Sequence, residues 1–154
     1  AATMVAEDAG IRVVHLRFGI VLSPKGGALA KMLTPFKFCL GGRVGNGRQW
    51  WSWVSLSDVV RAILYCLENE SLSGPVNVVA GAETNVDFAE KLGRSLRRPA
   101  YFPLPAFMAR LILGEMADAL LLASIRVESR KLREQGFAFK QNQLAPAFRE
   151  LLPI

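Results

Sequence analysis

The chain has 154 residues, 51% of them hydrophobic, enough to bury one good core and scarcely two. Lys and Arg exceed Asp and Glu by six, but with no run of five or more basic residues, which favours a small anionic ligand over a dedicated nucleic-acid arm. Two cysteines without CxxC or Cys/His spacing, and a single histidine, encode neither a disulfide scaffold nor a metal site, and no apolar run approaches the roughly 20 residues of a spanning helix.

The first residues, AATMVAEDA, hold helix formers with no cap before them and read as the tail of a helix cut at its start. They show no signal-peptide zoning, so a soluble chain in a reducing, cytoplasmic compartment is expected. IRVVHLRFGIVL, 11 to 22, is rich in β-branched residues and reads as one mostly buried strand, with Val14, Leu16 and Phe18 on one side and Val13, His15 and Arg17 on the other. Lys25, Gly26 and Gly27 form a basic loop, either a plain turn or a gate over a substrate, ahead of a short helix over 27 to 38 that Pro35 ends.

Glycines 41, 42, 45 and 47 precede a strand-like segment. A phosphate cradle must instead follow a strand and open a helix, so that free N–H groups face the anion. Trp50, Trp51 and Trp53 come next, and period two puts Trp51 and Trp53 on one face and Trp50 on the other. Ser57 is a suitable N-cap, Asp58 suits the first turn, and Val60, Ile63, Leu64 and Leu67 recur at helical spacing until Gly74-Pro75.

VNVVA, 76 to 80, predicts a second strand. A helix from Thr84 or Asn85 then places Phe88, Ala89, Leu92 and Leu96 on one face, with Asp87/Lys91 and Glu90/Arg94 as i,i+4 pairs. After Arg98-Pro99 the chain is extended over YFPLP, Pro105 opens a helix that Gly114 closes, and an apolar segment runs from Glu115 to Ile125. GFAFK, 136 to 140, reads as a short strand and LAPAFRELL, 144 to 152, as a closing helix. Strands alternating with helices define an α/β class, here with an α-rich tail.

RVVHLRFGIVLSPKGGAL, GNGRQWWSWVSLSDVVRAI, GPVNVVAGAETNVDFAEKL, RPAYFPLP and LREQGFAF, in that order, resemble the C-terminal half of an atypical extended short-chain dehydrogenase/reductase. The likeness is to the NAD-dependent epimerase/dehydratase family, in its sugar-nucleotide epimerase-like subgroup with a C-terminal domain of unknown function. The resemblance implies the C-terminal part of a Rossmann-like parallel-sheet domain over 1 to 98 and a small α-rich substrate-side lobe over 99 to 154. It also implies that the Gly-rich dinucleotide fingerprint and the catalytic Tyr and Lys lie upstream, so this half supplies no catalytic residue and is not expected to act alone. The expected partner is a small-molecule substrate, with NADP or NAD in the complete protein and neither nucleic acid nor membrane. A strand stripped of its neighbours would drive self-association or domain swapping.

The resemblance places the end of the first strand, Arg17, Phe18 and Gly19, beside the cofactor, where a guanidinium could bind a phosphate or ribose of NADP; a strand-end ion pair is the other reading of Arg17. Lys25, Gly26, Trp51 and Trp53 are the candidates for a substrate pocket, with a plain turn as the alternative for the first two and core packing for the tryptophans. Relatives that use nucleotide sugars usually offer an arginine to the substrate pyrophosphate in the stretch resembling Trp51, so an indole there disfavours a uridine-diphosphate sugar. His15 has no Cys, Asp or second His beside it and reads as a structural histidine. Two functions follow: half of an NAD(P)-dependent epimerase or oxidoreductase, or a noncatalytic nucleotide-binding or regulatory protein that keeps the fold.

Overall fold

The computed structural model describes residues 3 to 105 and 123 to 152. The helix expected over 105 to 114, and most of the apolar segment after it, lie outside the described residues. In chain order the elements are α1 (Met4–Asp8), β1 (Val14–Phe18), β2 (Ile20–Leu22), α2 (Gly27–Lys37), β3 (Trp50–Ser55), α3 (Leu56–Glu68), β4 (Gly74–Val78), β5 (Gly81–Thr84), α4 (Asn85–Ser95), α5 (Arg130–Glu134) and α6 (Leu144–Leu151).

The strand expected over 11 to 22 is two strands broken at Gly19, and they belong to different sheets. β1 pairs in parallel with β4, Val14 opposite Gly74 through Phe18 opposite Val78. β2 pairs in parallel with β3, Ile20 opposite Trp53. β3 pairs on its other edge with β5, antiparallel, Trp51 opposite Glu83. The sequence reading missed β5 because GAET has neither β-branched density nor alternation, and its edge position is set by pairing with the apolar β3.

Pro35 does not end α2, which reaches Lys37; a proline in the last turn costs little because the carbonyls beside it are met by Phe38 N–H on Thr34 (3.3 Å) and Leu40 N–H on Pro35 (2.9 Å). The cap of α3 is Ser55, not Ser57: its Oγ accepts from Asp58 N–H at 3.2 Å, while Ser57 Oγ bonds Ser55 Oγ at 3.0 Å. Thr84 caps α4 in the same way, and Phe88, Ala89 and Leu92 are buried as their spacing predicts. Glu90 pairs with Arg94, but Lys91 turns from Asp87 to Glu83 at 2.6 Å.

On α3 the large apolar stripe faces outward. Asp58, Val59, Ala62 and Cys66 are buried, whereas Leu56, Val60, Ile63, Leu64 and Leu67 are all exposed, Leu67 by 66%. Helical spacing locates a helix but does not say which of two apolar faces meets the sheet. Two carbonyls at the end of α3 are met by Arg12, which donates to those of Cys66 (2.9 Å) and Leu67 (3.2 Å) and to that of Leu72 (2.8 Å) in the turn beyond.

The core crosses the whole described chain: Leu22, Trp53, Val54, Val76, Val78 and Phe88 from the sheets and α4, with Leu132, Leu144 and Phe148 from the C-terminal helices. Trp51, Phe88 and Phe148 stack edge to face with centroids 5.1 and 5.2 Å apart. GFAFK is not a strand. It is an irregular segment held by Asp58, whose fully buried carboxylate accepts from the backbone N–H groups of Lys140 (3.1 Å) and Gln141 (3.0 Å) and pairs with Arg61 at 2.6 Å. Arg61 also donates to the Ala138 carbonyl at 3.0 Å and lies 5.2 Å from the Phe137 ring.

Asp58→Ala leaves two partly buried N–H groups without an acceptor and takes from Arg61 its carboxylate partner, so a loss of about 2–4 kcal/mol is expected, read as a lower midpoint in denaturant. The two thiols should separate by burial. Cys66 is buried and desolvation pushes its pKa up, a shift the nearby Arg12 guanidinium reduces, whereas Cys39 is exposed. Cys66 therefore stays a shielded thiol at neutral pH and slightly above, and labelling is expected at Cys39 alone in the native protein and at both after unfolding, as counted by mass spectrometry.

Candidate functional site

A cavity of about 420 Å³ opens where β1 and β4 end. Parallel strands present their carboxyl ends together, and in open α/β sheets that edge is where ligands bind. Arg17 and Phe18 line it from β1 and Asn77 from β4, with Val79 just beyond. The facing wall is the start of β3: Trp50, Trp51 and Ser52.

Gly19 makes this arrangement possible. It is the residue by which the chain passes from one sheet to the other, and a Cβ on it would stand 2.5 Å from the Ser52 carbonyl oxygen and 3.0 Å from Trp53 N. Only a residue without a side chain lets the two backbones approach so closely. Gly19 itself lines the cavity.

The remaining wall comes from a distant part of the sequence. Trp50 N–H donates to Ser124 Oγ at 3.1 Å, and Ile125 N–H donates to the Trp50 carbonyl at 3.0 Å. Ser52 Oγ donates to the Ile125 carbonyl at 2.7 Å and accepts from Val127 N–H at 2.9 Å. These bonds lay 124–127 along β3 where β2 has not yet joined it, so Ala123, Ile125 and Val127 close the cavity. Ser129, buried, fastens the segment to the end of β4, its Oγ accepting from Val79 N–H (2.6 Å) and donating to the Val79 carbonyl (2.9 Å). Arg126 lies over the Trp50 ring, 4.5 Å from its centroid.

Of the residues singled out from sequence, Arg17, Phe18, Gly19 and Trp51 meet in this cavity. Arg17 is exposed there and has no ion pair among the described residues. Trp51 serves both readings at once, being 2% exposed, stacked on Phe88, and part of the lining. Trp53 is 1% exposed and lies in the core. Lys25 lies in a separate open groove of about 810 Å³ with Lys37, Leu56 and Val60, and Gly26 precedes α2 and lines neither. His15 lies 3.4 Å from Glu7 of α1, outside the cavity lining. Sequence reasoning missed Ser52, Asn77 and the 123–127 wall; a small hydroxyl between tryptophans was the signal for Ser52, and nothing local marks the others.

The Gly19 contact is directly testable. Gly19→Ala must push the β3 backbone or its own strand aside, so it is expected to cost about 1–3 kcal/mol by denaturant melt, although Gly→Ala normally stabilises an extended chain.

A domain of unknown function (DUF1731) matches residues 104–151. An epimerase family protein of Mycobacterium leprae is 44% identical over 147 residues, which is 95% of this chain and 48% of the relative. Among solved structures, the human epimerase family protein SDR39U1 (isoform 2), solved with NADPH, superposes with a TM-score of 0.86 at 33% identity, over 92% of this chain and 48% of that one. A nucleoside-diphosphate sugar epimerase from Corynebacterium glutamicum superposes with a TM-score of 0.77 at 28% identity, over 98% of this chain and 28% of that one. The chain thus spans about half the length of the curated relatives it matches. In sequence and in fold it corresponds to the C-terminal half of epimerase family proteins, which have the extended short-chain dehydrogenase/reductase fold.

Proposed function

We propose that this chain is the substrate-side half of an NAD(P)-dependent epimerase or oxidoreductase. The observation that carries the reading is the cavity at the carboxyl ends of β1 and β4, with an unpaired guanidinium at its mouth and two indoles in its wall. A bound nicotinamide ring would take and return a hydride at a carbinol carbon of the substrate. Within this chain Arg17 would hold an anionic group of the cofactor, with Phe18 and Gly19 leaving room for it against the strand ends. Trp50, Trp51 and Asn77 would orient a small substrate, and the 123–127 wall would keep water from it. An indole at position 51 does not match a pyrophosphate-gripping arginine, which argues for a substrate other than a uridine-diphosphate sugar.

Two surface features support a half that packs against more polypeptide. Strand β1 has one neighbour among the described residues, and the exposed stripe Leu56, Val60, Ile63, Leu64 and Leu67 is apolar surface of the sort a soluble fold covers. The relatives' other half is the occupant that fits both, their length being about twice this chain's. A second reading, a nucleotide-binding protein without turnover, draws on one observation: the described cavity lining has no carboxylate, imidazole, phenol or amine to move a proton. Turnover by the complete protein separates the two.

In the complete protein, Arg17→Ala is expected to weaken NADPH binding roughly ten- to a hundredfold, as loss of a charge-assisted contact of about 1.5–3 kcal/mol, with the melting temperature of the ligand-free protein unchanged. Calorimetric titration checks it; parent-like affinity in the variant removes Arg17 from the cofactor site.

A further inference from the structure

Against α4 lies another cleft, of about 540 Å³, which shares no residue with the cavity above. Its rim carries Arg43, Arg94 and Arg98, and its floor includes Val86 and Ala89, with Tyr101 at one side. From this arrangement we propose that the cleft binds a small organic phosphate bearing at least two negative charges, the phosphates on the arginines and an apolar or planar group on the floor.

Charge is the first argument. Three guanidiniums face one carboxylate, Glu90, leaving an excess of two positive charges. Glu90 reaches only Arg94, at 3.3 Å, and both side chains are well exposed, so the pair is weak and easily exchanged for a better anion. Arg43 and Arg98 have neither an ion pair nor a side-chain hydrogen bond among the described residues. Guanidinium forks with no partner of their own suit phosphate oxygens, which they can bind two bonds at a time.

The second argument is that the backbone holding these arginines is built, not incidental. The loop before β3 runs beside the 102–104 strap, with Phe102 N–H on the Gly41 carbonyl (3.2 Å), Leu104 N–H on the Arg43 carbonyl (2.8 Å) and Gly45 N–H on the Leu104 carbonyl (3.0 Å). A Cβ on Gly42 would lie 2.2 Å from the Phe102 carbonyl oxygen, so the two segments meet without a side chain between them. At the end of α4, Arg97 takes a left-handed backbone (φ 53°), a position where glycine is usual. That turn brings Arg98 N–H onto the Gly93 carbonyl at 2.9 Å, and a Cβ on Gly93 would meet Ala100 Cβ at 2.8 Å. Arg43 and Arg98 thus line the cleft from two different hydrogen-bonded segments while their guanidiniums have no partner among the described residues. The floor between them is apolar, which favours a phosphate carrying a ring or chain over a bare anion.

The test is titration of the chain with inorganic pyrophosphate and with adenosine diphosphate at about 50 mM salt, followed by amide chemical shifts. Shift changes should concentrate at Ala89, Ala100 and Tyr101, and adenosine diphosphate should bind more tightly than pyrophosphate. Arg43→Ala/Arg98→Ala should weaken both by tenfold or more, while Lys31→Ala/Lys140→Ala, which removes the same charge elsewhere, should not. Shifts spread evenly over the basic surface, equal weakening in the two double variants, or binding of a single-stranded oligonucleotide with none of the small phosphates would each overturn the proposal. Arg43 and Arg98 line this cleft and not the cavity at the strand ends, so the Arg43→Ala/Arg98→Ala variant separates binding here from any binding of adenosine diphosphate there.

Discussion

The close approach of Gly19 to Ser52 is the constraint on which the rest of this architecture rests. A parallel pair, β1 with β4, and a mixed trio, β2 with β3 and β5, are joined by a single residue between β1 and β2. The two strands can diverge by so little only because nothing projects from the joint toward the Ser52 carbonyl. Divergence at that point leaves the first residues of β3 without a neighbour on one side, and the 124–127 segment fills part of the gap. What is left unfilled is the cavity. The site is therefore a by-product of how two sheets part, and the β3 and 124–127 walls beside its mouth are held by hydrogen bonds between them.

A second tie works at the opposite end of the sequence. Asp58 is a carboxylate with no exposure, satisfied by two backbone N–H groups and a guanidinium, and those N–H groups belong to residues more than eighty positions away. A buried charge is tolerable only when such partners are complete. The start of α3 and the irregular 137–141 segment are consequently one unit, and that unit delivers Phe148 to the edge-to-face stack beneath Trp51. The floor of the cavity and the C-terminal helix share a core.

Much of this was legible from residues alone. Local signals located α2, α3, α4 and the closing helix, because caps and apolar spacing act within a turn or two. Trp51 could be picked out because an aromatic cluster is visible in a single stretch, whereas Arg17, Phe18 and Gly19 were reached through the family resemblance. What could not be read was long-range. Which stripe of α3 meets the sheet depends on the partner, and its inward face turned out to carry the smaller residues. Asp58 read as a dipole partner in a first turn, since nothing near it in sequence announces the two amides it accepts. Trp53 shares a face with Trp51 by alternation, yet it lies further along β3 where β2 has joined, and there it is core, while the turn at Pro24 sends Lys25 to a different groove.

The way the 124–127 wall is attached bears on how anything enters. Its bonds to β3 all fall on Trp50 and Ser52, and each is worth only about 0.5–1.5 kcal/mol net. Beyond them Ser129 holds the chain to Val79 with two more, from a hydroxyl that is itself buried. At that strength the four bonds together hold Ser124 to Val127 against β3 by a few kcal/mol, the range in which local openings leave the sheets intact. The hold of that strip on β3 is shared equally between the backbone of Trp50 and the hydroxyl of Ser52, each carrying two of the four bonds.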